Sequence, residues 1–158
     1  IEAKQYGIKT GMTVRDARLL YPREIVRMPD PEKYRYVHRM FRKIFQDYSP
    51  DVTPKSIDEA VIDLTHTLSL FRGGVTDIGN EIKIRFREEI GEWMQCSIGV
   101  STNRFLAKLA ASLHKPDGLD IIDHTNVLDI YKQVSLLDLS GINTRFQARL
   151  NAITLVGM

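Results

Sequence analysis

Residues 55–65 read Lys55-Ser56-Ile57-Asp58-Glu59-Ala60-Val61-Ile62-Asp63-Leu64-Thr65. Two short runs of strand-forming residues flank two adjacent carboxylates. Side chains alternate faces along a regular strand, which would point Asp58 and Glu59 apart. A turn over Ser56 to Glu59 instead lets both reach one edge of a β-hairpin spanning residues 52–65. Adjacent carboxylates repel unless a cation lies between them. The tip is therefore either a Mg²⁺ site or a solvated acidic turn, and the dipeptide alone leaves both open.

Moving outward toward the C-terminus, Thr67 to Phe71 reads as a short helix, followed by the Gly73-Gly74 break. A long helix over 75–90 follows, with Val75, Ile78, Ile82, Phe86 and Ile90 on one face. Trp93 to Ser101 predicts a strand buried on both faces, because Cys96, Ile98 and Val100 alternate with small residues. Ser101 or Thr102 then caps a helix whose packed stripe is Leu106, Leu109, Ala110 and Leu113. Its opposite side carries Arg104, Lys108 and Lys115, spaced to fall near one line along the axis. Such a line holds phosphates or is a solvated basic face. Pro116-Asp117-Gly118 turns the chain into a strand, Leu119 to Ile122, and a short helix follows over 124–134. Residues 136–155 read helix, Gly141-centred turn, helix. A turn of this kind aims backbone N–H groups at nucleic-acid phosphates or simply connects two helices.

Toward the N-terminus, Asp30 and Pro31 start a strongly amphipathic helix to about Tyr48. Its expected buried stripe is Tyr34, Val37, Phe41, Ile44 and Tyr48. The outer face holds Lys33, Arg35, Arg39, Arg42 and Lys43, a pattern typical of a solvated surface. Residues 1–29 form a small helical unit in which Thr13 caps Val14 to Leu20 and Pro22 ends it.

Composition narrows the class. The chain has 158 residues, a net charge of +2 and a single cysteine, Cys96, so no internal disulfide is possible. No apolar run reaches membrane-spanning length and no signal peptide is visible. A reducing cytoplasm is the expected compartment, with Cys96 a buried structural residue. The four histidines share no metal-ligand spacing with Cys96, which argues against zinc. Both common types of Gly-rich phosphate loop and the nucleophile elbow are missing. The chain begins and ends inside patterned sequence, as expected of a piece of a longer protein.

Four segments resemble one family in order and spacing. Ser56 to Thr65 is similar to the SIDEAYLDLT catalytic motif of the Y-family (translesion) DNA polymerases. Cys96 to Ala111, with Lys115-Pro116-Asp117-Gly118, resembles their SIGIAxNKxLAKxAS…KPxG signature. Ile1 to Met12 is similar to the YEARxxGVxxGM segment, and Leu139 to Asn143 resembles the entry of the helix-hairpin-helix thumb. The DNA polymerase IV branch is the nearest match.

The order of elements predicts an α+β fold with helices on one side of an antiparallel sheet, a ferredoxin-like palm that, by the resemblance, lacks its first strand. The resemblance implies partial fingers at 1–29, the incomplete palm at 30–134 and the start of the thumb at 135–158. It also implies that Asp58 and Glu59 are catalytic, Mg²⁺-holding carboxylates serving attack of a primer 3′-oxygen on a dNTP. Two metals roughly 3.5–4 Å apart would stabilise the attacking and leaving oxygens. Lys115 and Lys4 would contact the triphosphate. Gly141 and Asn143 of the thumb turn would meet the backbone of primer–template DNA. Arg104 and Lys108 are left to local structure or that same backbone. A sliding clamp would engage regions outside this chain.

Several positions depart from the family pattern. Ile1 stands in place of a tyrosine, Lys4 of an arginine, Val61 of a tyrosine and Asn143 of a glycine. A lysine neutralises phosphate without forking onto two oxygens, while Asn tolerates positive φ. A third metal-binding Asp belongs upstream of Ile1, so the isolated chain is expected to lack polymerase activity. A non-catalytic DNA-binding relative with the same fold is the competing reading, against which the retained acidic pair argues. A palm-like nucleotide cyclase would not explain the thumb motif.

Overall fold

Several helices begin where a side chain satisfies backbone N–H groups left open in the first turn. In the computed structural model, which describes residues 2–156 and side chains through Ile153, Thr13 accepts from the Asp16 amide at 3.1 Å. Asp30 accepts from the Lys33 amide at 3.0 Å, and Asn103 from the Leu106 amide at 2.9 Å. The first two caps are the expected ones. The third lies one or two residues beyond Ser101 and Thr102, because Asn103 has the extended backbone that a cap requires.

Chain contacts divide the protein into two units, residues 1–36 and 37–158. The first unit holds α1 (Glu2–Gln5) and α2 (Val14–Leu20). Within it, Tyr6 stacks on Tyr21 with ring centroids 4.1 Å apart. Arg18 pairs with Glu24 at 3.0 Å. The helix α3 (Pro31–Gln46) contains the boundary between the units.

The second unit is mixed α/β. A hairpin of β1 (Val52–Pro54) and β2 (Ala60–Ile62) pairs antiparallel, with Val52 opposite Ile62 and Pro54 opposite Ala60. After a short 3-10 turn at Leu68–Leu70, α4 (Gly74–Arg85) widens into a π-helical turn over Phe86–Ile90. Then come β3 (Ile98–Ser101), α5 (Arg104–Leu113), β4 (Leu119–Ile122) and α6 (Val127–Gln133). A 3-10 turn at Leu136–Asp138 leads into α7 (Thr144–Val156).

Strands β3 and β4 run parallel, Ile98 opposite Leu119 and Ser101 opposite Ile122. The expected antiparallel sheet is thus a two-stranded hairpin and a separate two-stranded parallel pair. The reason is the connection: a whole helix, α5, carries the chain back to the same end before the second strand starts. Strand β3 is also shorter than expected, because residues 93–97 have no strand partner. Trp93 is 89% exposed, and the four β3 residues are half-buried rather than covered on both faces.

Two apolar clusters hold the second unit. Ile44 and Tyr48 meet Ile78, Ile82 and Phe86 of the α4 segment, with Cys96 packed alongside. Burial pushes the Cys96 thiol up to about 11, which suits an inert packing group. The second cluster joins Leu109 and Ala110 of α5 to Ile122 of β4. Of the expected α3 stripe, Tyr34 is 48% exposed, since packing starts one turn later at Val37 and Phe41.

Candidate metal and nucleic-acid site

The hairpin loop is short because its ends are tied early. The amides of Lys55 and Ser56 both donate to the Glu59 carbonyl, at 2.8 and 3.2 Å. This leaves Ser56, Ile57 and Asp58 to round the tip, with the Asp58 and Glu59 side chains both exposed. The Ser56 hydroxyl donates to Asp58 Oδ1 at 2.6 Å and accepts weakly from the Asp58 amide at 3.4 Å. From α3, His38 Nδ1 lies 3.0 Å from the Ile57 carbonyl. A carbonyl only accepts, so this nitrogen carries the hydrogen.

The base of the hairpin is closed separately. Buried Ser49 donates to the Asp63 carbonyl at 2.6 Å and accepts from the Asp51 amide at 3.1 Å. The Asp63 carboxylate accepts from the Thr65 amide and hydroxyl, at 2.9 and 2.5 Å. The Thr65 hydroxyl and amide hold Asp63 below the usual carboxylate range, with His66 and Arg104 adding weaker attraction.

The cations of α5 face these acids. Lys108 Nζ lies 2.7 Å from Glu59 Oε2, both side chains about half exposed. Arg104, one turn earlier, acts on Asp63 through its charge. The expected straight line of three cations stops there, because α5 ends at Leu113 and Lys115 sits beyond it in the turn. That turn is anchored through Asp117, which accepts from Lys83 and Arg87 of the α4 segment. Lys115 itself remains exposed. Lys4 lies on α1 of the first unit, also exposed. Ile1 is outside the described residues.

In the C-terminal turn, Gly141 has φ +91°, the left-handed conformation that favours glycine. Asn143 does not share it. Its Oδ1 instead accepts from the Phe146 amide at 3.0 Å, capping α7. Asparagine thus fits this position through its side chain rather than through tolerance of positive φ.

Asp58 and Glu59 offer hard oxygen donors, the ligand type Mg²⁺ takes. That ion commonly binds one or two carboxylates and completes its shell with water and substrate phosphate. Among the described residues, no three His, Cys, Asp or Glu side chains come together to hold an ion. The pair fits as a partial donor set. One of its oxygens already has a cationic neighbour, Lys108.

His38, Ser56 and the Asp117 anchors had escaped the sequence reading. Ser56-x-Asp58 is a local side-chain turn that spacing could have revealed. Nothing in the sequence around His38 marks it.

The model of the impB/mucB/samB family matches residues 1–112. The chain belongs to this family. Relatives of this impB/mucB/samB chain include DNA polymerase IV of Pelotomaculum thermopropionicum, 38% identical over 155 residues, covering 98% of this chain and 38% of the relative. DNA polymerase IV of Moorella thermoacetica is 38% identical over 145 residues, covering 92% of this chain and 36% of the relative. The chain therefore spans well under half the length of these relatives. Among solved structures, an insertion ternary complex of Dbh DNA polymerase superposes with TM-score 0.85 at 27% identity, covering 96% of this chain and 44% of that one. DinB from Sulfolobus solfataricus superposes with TM-score 0.82 at 27% identity, covering 97% and 44%. As an impB/mucB/samB member, the chain has the mixed α/β architecture of Y-family polymerases.

Proposed function

We propose that the chain is part of a translesion DNA-directed DNA polymerase, one that adds dNTPs to a primer on template DNA. On this reading residues 30–134 are palm, 1–29 are partial fingers and 135–158 begin the thumb. The observation that carries the proposal is the exposed Asp58–Glu59 pair on a tied five-residue loop.

Asp58 and Glu59 would hold Mg²⁺, which when bound supplies charge stabilisation for in-line displacement at a phosphoryl group. Ser56 and His38 keep the loop that presents Asp58 in one conformation. Lys115 and Lys4 neutralise triphosphate oxygens. Gly141 and the Asn143-capped start of α7 lie against the DNA backbone, which they position without reading sequence. In the free chain Lys108 pairs with Glu59, and Arg104 adds a weak attraction to Asp63. Both cations become available to the DNA backbone once another cation compensates those acids.

The test is Mn²⁺ binding followed by electron paramagnetic resonance, on the wild-type chain and on Asp58→Asn. Wild type should bind, and Asp58→Asn should weaken binding by about tenfold or more, the loss of one of two carboxylate ligands. Equal binding by both would sink the metal assignment. The isolated chain should not extend a primer, since among the described residues no third carboxylate joins the pair.

The Lys108–Glu59 ion pair favours one second reading, a non-catalytic DNA-binding relative whose acidic pair is balanced internally. An Asp58→Asn chain that binds DNA and metal like wild type would support it.

A further inference from the structure

The outer face of α3 points away from the apolar cluster around Ile44 and Tyr48. There Arg39, Arg42, Lys43 and Gln46 line a shallow, open groove of about 280 Å³. The spacings i, i+3, i+4 and i+7 make these four neighbours on one side of the helix. All four are exposed. Like charges so arranged repel one another and destabilise their own helix unless an anion compensates them.

Among the described residues, no acid forms an ion pair with these cations. Asp47, four residues beyond Lys43, is held instead by Arg85 Nη2 at 2.8 Å. Glu89 is held by Arg85 Nε at 2.5 Å, and Lys43 acts on it only as the weakest of its charged neighbours. Among the described residues, no ion pair or hydrogen bond holds Arg39, Arg42 or Lys43. One arginine thus answers the local acids and three cations are left facing solvent.

We infer that this groove is a docking site for the phosphate backbone of a nucleic acid, separate from the hairpin and from the C-terminal turn. Its lining decides between the anionic partners. No apolar residue contributes to the groove, whereas a protein partner needs an apolar core to its interface. Nucleic-acid interfaces are polar and strongly cationic. Two of the three cations are arginines, whose planar forks match phosphate oxygens, and Gln46 adds a neutral donor. From Arg39 to Gln46 the helix rises about 10 Å, roughly the axial length of three nucleotides. Two or three successive phosphates can therefore be served at once. The site needs no metal, so it stands or falls apart from the proposed catalytic pair.

The test is duplex DNA binding by the chain in EDTA, followed by fluorescence anisotropy across a salt series. A triple Arg39→Gln, Arg42→Gln, Lys43→Gln variant should show a log–log salt slope shallower by about two, as expected for two to three lost phosphate contacts. A Lys132→Gln control on α6 should leave the slope unchanged. The variant should melt like wild type or slightly higher, since repulsion is relieved. In parallel, duplex DNA should protect Lys43 and not Lys132 from acetylation by an amine-reactive ester. An unchanged slope, or an unprotected Lys43, overturns the proposal. Protection of Lys43 by polyglutamate but not by duplex also overturns it and points to an acidic protein. Protection by inorganic phosphate alone reduces the groove to a small-anion site and overturns it as well.

Discussion

The β1–β2 hairpin and the β3–α5–β4 crossover end a strand on the same device. After β2, Asp63 accepts from the Thr65 amide and hydroxyl. After β4, Asp123 accepts from those of Thr125, at 2.8 and 2.5 Å. Beyond that shared turn they differ in what holds them. The crossover is bound by close packing, with Leu109, Ala110 and Ile122 buried and Gly99 pressed against α5. The hairpin tip is exposed and held by polar contacts from Ser56, His38 and Lys108. Packing resists substitution but cannot present a charge to solvent. Polar ties can present one, at little cost to stability. The proposed chemistry therefore sits on the lightly held region and the rigidity on the other.

The largest break in that comparison should come from Gly99→Ala. An added Cβ would overlap the Ala107 carbonyl and the Ala111 amide nitrogen and stand 2.9 Å from Ala110 Cβ, all on α5. Backbone cannot yield as a side-chain tip can, so a loss of about 3 kcal/mol or more is expected. Urea unfolding would read it. Asp58→Asn on the hairpin should stay within about 0.5 kcal/mol in the same assay. Equal losses would show that the two regions are held alike.

Lys108→Met spans the two regions, since Lys108 belongs to α5 and its partner Glu59 to the hairpin. With both side chains about half exposed, unfolding stability should fall by no more than about 0.5 kcal/mol. Mn²⁺ binding should move the other way. Without Lys108 no other ion pair among the described residues holds the acidic pair, and affinity should rise about twofold, a surface pair's worth of free energy. Unchanged or weaker Mn²⁺ binding would mean that Lys108 does not compete for Glu59.

Local signals made much of this legible in the sequence. Alternation and turn residues marked the hairpin and its acids, Asp30-Pro31 marked the start of α3, and the 3-4 spacing of Leu106, Leu109, Ala110 and Leu113 marked the packed face of α5. Contacts between distant segments were not legible. His38 reaches Ile57 across 19 positions and Lys108 reaches Glu59 across 49. No local pattern encodes where a helix face will land. The same limit explains Lys115. Spacing placed it in line with Arg104 and Lys108, but the helix ended first and Asp117 took the anchoring contacts. Function became readable through motif likeness, whereas periodicity alone left every charged cluster with a solvated alternative.

The smallest effect tests the device the two regions share. The Thr hydroxyl and amide hold both Asp63 and Asp123 below the ordinary carboxylate value. A carboxylate whose folded pKa is depressed contributes stability that is present above its unfolded value. That contribution is lost as pH falls through the folded value. The loss should therefore begin near pH 3.8 and continue below it, with neutral pH unaffected. Thr65→Val and Thr125→Val each remove the hydroxyl and keep the amide, so each Asp should move part of the way back toward 3.8. Carboxyl chemical shifts followed through an acid series would show this residue by residue. Because the hydroxyl is the leading influence at both turns, the two shifts should be similar despite the different supports around them. A shift at Asp123 alone would mean that the packed crossover, rather than the turn, sets the carboxylate's environment.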